Sequence, residues 1–212
     1  MEQEQLRNQA HENNNNNNTN KEKKGPLFDL YALLHDLVYI LAGITLIFVF
    51  CVRLVGVNGG SMLPTLVSGD YLALQSNIIM GDLEYGDIIV ARKMSFRDGE
   101  PIVKRVIATE GQTVSIRREN GEIRVYVDGV ALIEPYIKEM MDDSYALPIN
   151  HIVEEGCIFV MGDNRNNSAD SRDNRIGQIS LDEVLGKVLF VIFPGEDQFT
   201  QKRDFSRIGA VS

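Results

Sequence analysis

The chain has 212 residues, a formal net charge of −9 and an ordinary share of apolar residues. That length fits one compact domain with extra segments. The acidic balance, with no basic cluster beyond Lys21, Lys23 and Lys24, argues against nucleic acid as a partner. Two cysteines, Cys51 in an apolar run and Cys157 in a predicted strand, are too few for a zinc or thiol-redox site. Their environments differ too much for a disulfide.

The first 26 residues read as a disordered tail, because apolar residues are nearly absent and Asn13 to Asn18 form a homopolymer run. Residues 37–52 carry no charge. Extended to Val57, the apolar stretch approaches the ~20 residues that a bilayer-crossing helix needs. Arg53 interrupts that extension, but a long side chain near a helix end can snorkel to the interface. A cleavable leader is disfavoured, since leaders are short and start near the N-terminus. Arg7, Lys21, Lys23 and Lys24 precede the span, so the positive-inside rule puts the tail in the cytoplasm and everything after about Val57 outside.

Beyond the span the pattern is mostly strands. They are predicted at 71–75, 87–91, 101–108, 113–118, 122–127, 157–161 and 187–193. The fourth and fifth alternate with period two around Glu119-Asn120-Gly121, a hairpin signal. Residues 130–156 read as irregular, with Pro135 and Pro148, and only 181–185 looks helical. Many short strands between turns indicate a mainly β domain. The expected organisation is a cytoplasmic tail at 1–26, a juxtamembrane segment and transmembrane helix at 27–57, and an extracytoplasmic β domain at 58–212. A small β region is inserted in that domain at about 110–156.

Three segments can carry chemistry. Ser61 lies in Gly59-Gly60-Ser61-Met62-Leu63-Pro64, a turn framed by Gly and Pro. Lys104 lies in Ile102-Val103-Lys104-Arg105-Val106-Ile107. Residues 162–172, Gly-Asp-Asn-Arg-Asn-Asn-Ser-Ala-Asp-Ser-Arg, supply polar groups. A serine hydroxyl needs a base to become a nucleophile. Of the three histidines only His151 shares Ser61's side of the membrane, and no Gly-x-Ser-x-Gly elbow is present. A lysine can serve instead if apolar surroundings lower its pKa from about 10.4 by several units. Ile102 and Val106 are same-face strand neighbours that could do so. Taken singly, each segment also has an ordinary reading: a surface turn, an edge lysine with its ammonium in water, a solvated loop. A calcium loop at 162–172 fails on spacing, because Arg165 stands where an oxygen ligand is wanted.

Jointly the segments are far more specific. Ser61-Met62-Leu63-Pro64-Thr65-Leu66, Gly86-Asp87-Ile88-Ile89-Val90, Lys104-Arg105-Val106-Ile107 and the 162–172 loop, in this order, closely resemble the sequence boxes of bacterial type I signal peptidases, in their short Gram-positive-like form. The resemblance covers about residues 27–194. It implies an antiparallel β catalytic domain, akin to the SOS-repressor proteases, behind one transmembrane helix. It implies a cell-membrane endopeptidase with a Ser61 nucleophile and a Lys104 general base. Ser168 would orient the lysine amine, and Asp170 with Arg172 would support the loop. The substrates would be secretory pre-proteins, cut after small-x-small motifs close to the secretion translocon, with no metal and no cofactor.

Two positions depart from the family pattern. Gly59 stands where some members have a serine that helps bind the oxyanion, so backbone N–H groups, chiefly that of Ser61, would have to do so. Asn166 stands where many have aspartate. Apolar residues at 71–74 and 88–90 are the expected walls of two shallow substrate pockets. Two other functions are weighed against this one. A self-cleaving repressor would need a DNA-binding helical domain, and an idle tethered β module would not need Ser61, Lys104 and Ser168 together.

Overall fold

The computed structural model describes residues 26–144, 149–197 and 200–211. The Asn-rich tail and Pro148 lie outside them. Pro26 opens helix α1, Pro26–Cys51, at the one helical position where a missing N–H costs nothing. Residues Leu27–Ile47 have a mean hydropathy of 1.9 and none of them is buried. Apolar side chains stand exposed around the helix, among them the consecutive Leu37, Val38, Tyr39, Ile40 and Leu41. An all-round apolar surface suits lipid. By internal contacts the chain divides between Leu46 and Ile47.

The helix does not run to Val57, as the apolar stretch suggested. It stops at Cys51, and Val52–Gly56 form strand β1, paired antiparallel with β2, Tyr71–Ser76. The remaining strands are β3 (Ile88–Arg92), β4 (Pro101–Thr109), β5 (Thr113–Glu119), β6 (Glu122–Val127), β7 (Val130–Ala131), β8 (Ile149–Ile152), β9 (Cys157–Met161), β10 (Ile179–Ser180), β11 (Val184–Phe193) and β12 (Gly209–Ala210). The expected helical turn at 181–185 is a 3-10 turn, Leu181–Glu183. All pairings are antiparallel, and the fold is mainly β as expected.

Eight strands make one sheet in the order β1-β2-β11-β3-β4-β9-β10, with β12 added to β11. The other four make a second sheet, β7-β6-β5-β8, within the region expected as an insert. Its β5–β6 hairpin turns at Asn120 and Gly121, both at positive φ, as an Asn-Gly turn requires. β8 falls in the segment that the sequence marked as irregular. Its four residues are too few to show a period.

Three apolar clusters hold the sheets. Ile89, Ile102, Val106, Ile158 and Val160 form one, on the large sheet. Ile107, Val114, Ile116, Val125 and Phe159 join the two sheets. Val57, Met62, Leu66, Leu72, Leu74 and Val188 form the third, beneath the turn that carries Ser61.

Candidate active site

Ser61 sits on a loop closed at its base. Val57 N donates to Asp70 O (2.8 Å) and Gly69 N donates to Val57 O (2.8 Å). Met62 and Leu66 are the loop's apolar anchors, at 1% and 0% exposure, so the intervening turn is pinned while Ser61 stays half-buried. Among the described residues Ser61 N–H has no hydrogen-bond acceptor. Gly59 adopts φ 100°, a region that favours glycine, although the space beside it is open. Backbone conformation thus disfavours a serine at this position.

Lys104, on β4, is 3% exposed. Its Nζ donates to Ser61 Oγ at 2.9 Å and to Val103 O at 2.8 Å. Ile102 and Val106, its same-face neighbours, are buried in the first cluster, so of the two readings the sequence left open, the enclosed lysine is the one observed. No carboxylate among the described residues forms an ion pair with it. Burial lowers its pKa from 10.5 to about 8. The charges of Asp170 and Asp163 pull the value up, and those of Arg97 and Arg172 push it down.

The loop at 162–172 holds the back of the site with paired charges. Arg105 Nε and Nη2 donate to Asp163 at 2.9 and 2.8 Å, and its Nη1 donates to Gly86 O at 2.8 Å. Thr65 Oγ1 donates to Asp163 Oδ2 at 2.5 Å, tying the serine loop to the same carboxylate. Arg172 grips Asp170 with Nε and Nη2, both at 2.8 Å, and Gly162 N–H adds a third bond. Burial alone would raise the pKa of Asp170, but those bonds and the Arg172 charge hold it below the ordinary carboxylate value. Asn164 clamps the backbone at Ser61, its N–H on Ser61 O (3.0 Å) and its Nδ2 on Gly60 O (2.9 Å). Gly162 packs so closely that a Cβ there would overlap Ser61 O and Ser168 Oγ.

Ser168 lines the same cleft as Lys104, but the expected hydrogen bond between them is not formed. Its Oγ is near enough to Asp170 to favour the carboxylate, yet it is buried without a hydrogen-bond partner. Asn166 Nδ2 donates to Met140 O, and its Oδ1 accepts from Asp142 N. An aspartate could not make the first of these bonds. His151, on β8, holds its ring 6.1 Å from that of Phe159 in a tilted arrangement and does not line the cleft.

The cleft measures about 930 Å³ and is walled by Val55, Val57, Ile102, Val103 and Ala169 around Ser61 and Lys104. This corrects the expected walls. Ala73 is buried, Leu72, Leu74 and Ile88 to Val90 are buried in the apolar clusters, Tyr71 is exposed, and none of them lines the cleft. The sequence missed Val55 and Val57 because they lay in the presumed end of the membrane helix. Glu134 was also missed. Its carboxylate takes Arg165 Nη1 and Nη2 at 2.9 and 2.6 Å and so braces the loop from the inserted region.

The family profile described as "Signal peptidase, peptidase S26" matches residues 30–193, which include Ser61, Lys104 and the whole 162–172 loop. The chain belongs to this family. A signal peptidase I of Bacillus amyloliquefaciens is 34% identical over 149 residues, 66% of this chain and 74% of the relative. A probable signal peptidase I-1 of Synechocystis is 41% identical over 141 residues, 63% of this chain and 67% of the relative. A solved signal peptidase I from Enterococcus faecalis, 29% identical, covers 50% of this chain and 97% of its own, with a TM-score of 0.41. The chain is thus a serine protease of the signal peptidase I type, and its N-terminal apolar helix fits a membrane-anchored enzyme.

Proposed function

We propose that this peptidase removes signal peptides from exported pre-proteins after small-x-small motifs, with Ser61 as nucleophile and Lys104 as general base. The observation that carries this reading is the 2.9 Å contact between Lys104 Nζ and Ser61 Oγ, made by a buried lysine with no ion-pair partner. Such a lysine loses its proton far more readily than one in water. Neutral Lys104 takes the Ser61 hydroxyl proton as Oγ attacks the scissile carbonyl. The carbonyl oxygen becomes an oxyanion, and the unpaired Ser61 N–H is its donor. The Lys104 ammonium then protonates the leaving amine, and an acyl-enzyme remains on Ser61. In the second half Lys104 takes a proton from water, the hydroxide attacks the ester, and Ser61 is released with its proton restored.

Ser168 and Asp170 act behind the lysine. The unpartnered Ser168 hydroxyl is available to hold the amine once its proton leaves, and the Asp170–Arg172 pair keeps the loop in shape. Val55, Val57, Ile102 and Ala169 would give the cleft the small apolar pockets that Ala-x-Ala requires. The basic residues before α1 put the N-terminus in the cytoplasm and the catalytic domain outside, where translocated pre-proteins emerge.

The test is cleavage of an Ala-x-Ala pre-protein by the detergent-solubilised chain. Ser61→Ala and Lys104→Ala should each lower turnover by at least about 10³-fold, because members of one catalytic unit fail together. Near-parental turnover in either variant would contradict the assignment.

A further inference from the structure

Asp70 closes the base of the Ser61 loop and is fully buried, at 0% exposure. Its carboxylate accepts from Val67 N (2.8 Å) and Gly195 N (2.7 Å). A buried carboxylate needs a cation, and neither Lys104 nor the arginines of the 162–172 loop serves it. The cation is Arg207. Its Nη1 and Nη2 donate to the two Asp70 oxygens at 2.8 and 2.7 Å, and Nη2 also donates to Thr65 O at 3.1 Å. Thr65 is therefore held from two sides, its hydroxyl by Asp163 and its carbonyl by Arg207.

Arg207 is itself firmly placed. It ends a 3-10 turn, Phe205–Arg207, capped by Asp204, whose Oδ1 accepts from Ser206 N at 3.0 Å and Ser206 Oγ at 2.6 Å. Before it, the Phe205 ring meets Phe193 at 6.0 Å edge-on. After it, Gly209 and Ala210 pair with β11 as β12, and Val211 packs on the cluster beneath the Ser61 loop. Gly195 lies so close to Ser68 and Asp70 that a Cβ would overlap the Ser68 carbonyl. Arg207 and the rest of the 203–211 segment lie beyond residue 193, where the match to the family profile ends.

We infer that the C-terminal segment 203–211 is a latch on the nucleophile's loop, with Arg207 as a positioning residue that sets Ser61 through Asp70 and Thr65. It rests on Ser61 being the nucleophile. Arg207 does two separable things: it neutralises buried Asp70, and it fixes the Thr65 carbonyl in mid-loop. The first supports folding, and the second governs where Ser61 Oγ stands relative to Lys104.

The full chain in detergent, with an Ala-x-Ala pre-protein as substrate, tests this. Arg207→Gln should lower kcat by about tenfold or more, as expected for a nucleophile displaced by a fraction of an ångström, with KM changed by less than about twofold. Arg207→Lys keeps the charge but not the fork. It should fold and show an intermediate kcat. Asp70→Asn combined with Arg207→Gln removes the buried charge. Its Tm should recover toward the parent while kcat stays low, since the grip on Thr65 is still missing. Parental kcat in the double variant would reduce Arg207 to charge neutralisation and overturn the inference, as would parental kcat in a folded Arg207→Gln. Ser61→Ala run alongside separates the two readings. Activity there contradicts the nucleophile, whereas an inactive Ser61→Ala beside fully active Arg207 variants contradicts the latch alone.

Discussion

Residues 104 and 105 are consecutive on β4 and both are cations buried to within 3% of full enclosure, yet their surroundings are opposite. Lys104 faces the cleft, and its ammonium meets two uncharged oxygens. Arg105 faces the interior loop, and its guanidinium meets Asp163 in a two-bond fork, with the Tyr136 ring 4.0 Å away. With Lys104 as the proposed base, the difference separates reactive charge from scaffold charge. A buried cation without a counter-ion is held in a state it readily leaves, so it can exchange protons with a substrate. A buried cation locked to a carboxylate exchanges nothing, and its removal strands the partner. The same scaffold pattern repeats at Arg172–Asp170 and Arg165–Glu134. Among the described residues, Lys104 is thus a buried cation with no carboxylate partner, whereas Arg105, Arg165 and Arg172 each have one.

Replacing each of the two neighbours by methionine breaks the comparison most sharply. Lys104→Met should abolish cleavage yet leave the protein at least as stable as the parent near neutral pH. Arg105→Met should cost about 3–5 kcal/mol, the usual penalty for stranding one member of a buried pair. Chemical denaturation of the two variants side by side checks this. If Lys104→Met were the less stable of the two, Lys104 would be a structural residue.

The stability difference should also depend on pH, and its sign follows from the shift. The folded-state pKa of Lys104, about 8, lies below the unfolded 10.5. Between these values the unfolded chain binds more protons, so parental stability rises with pH through that window. Below about 8 the full penalty is present, roughly 3 kcal/mol, and above about 10.5 it is gone. Lys104→Met should lack this rise. Equal pH dependence in parent and variant would contradict the burial of an unpaired ammonium.

The smallest effect should come from His151→Ala. That ring lies on the second sheet against Phe159, outside the cleft, and turnover should change by less than about twofold in the pre-protein assay. A large loss would move the base from Lys104 to the histidine.

Much of this arrangement is legible in the sequence, for identifiable reasons. Ile102, Lys104 and Val106 alternate on one strand, so the lysine's apolar surroundings follow from period two once that face is buried. The Asn120-Gly121 hairpin follows from turn chemistry. The pairing of Arg105 with Asp163 does not, because nothing local links positions 58 residues apart. β1 was hidden for another reason: Val52 and Val55 are as apolar as the helix before them, and composition alone cannot mark where a helix gives way to a strand. Arg207 carried no signal either. Its role exists only because folding brings it to a buried Asp70 from 137 residues away.

The pH dependence of kcat/KM tests the Ser61–Lys104 pairing most directly. The free enzyme must hold Lys104 unprotonated, so kcat/KM should climb with pH and level off, with an apparent midpoint near the lysine's value of about 8. His151→Ala should leave that midpoint in place. A midpoint near 10.5, the value of an unburied lysine, or one that moves when His151 is replaced, would contradict a buried Lys104 acting as the base.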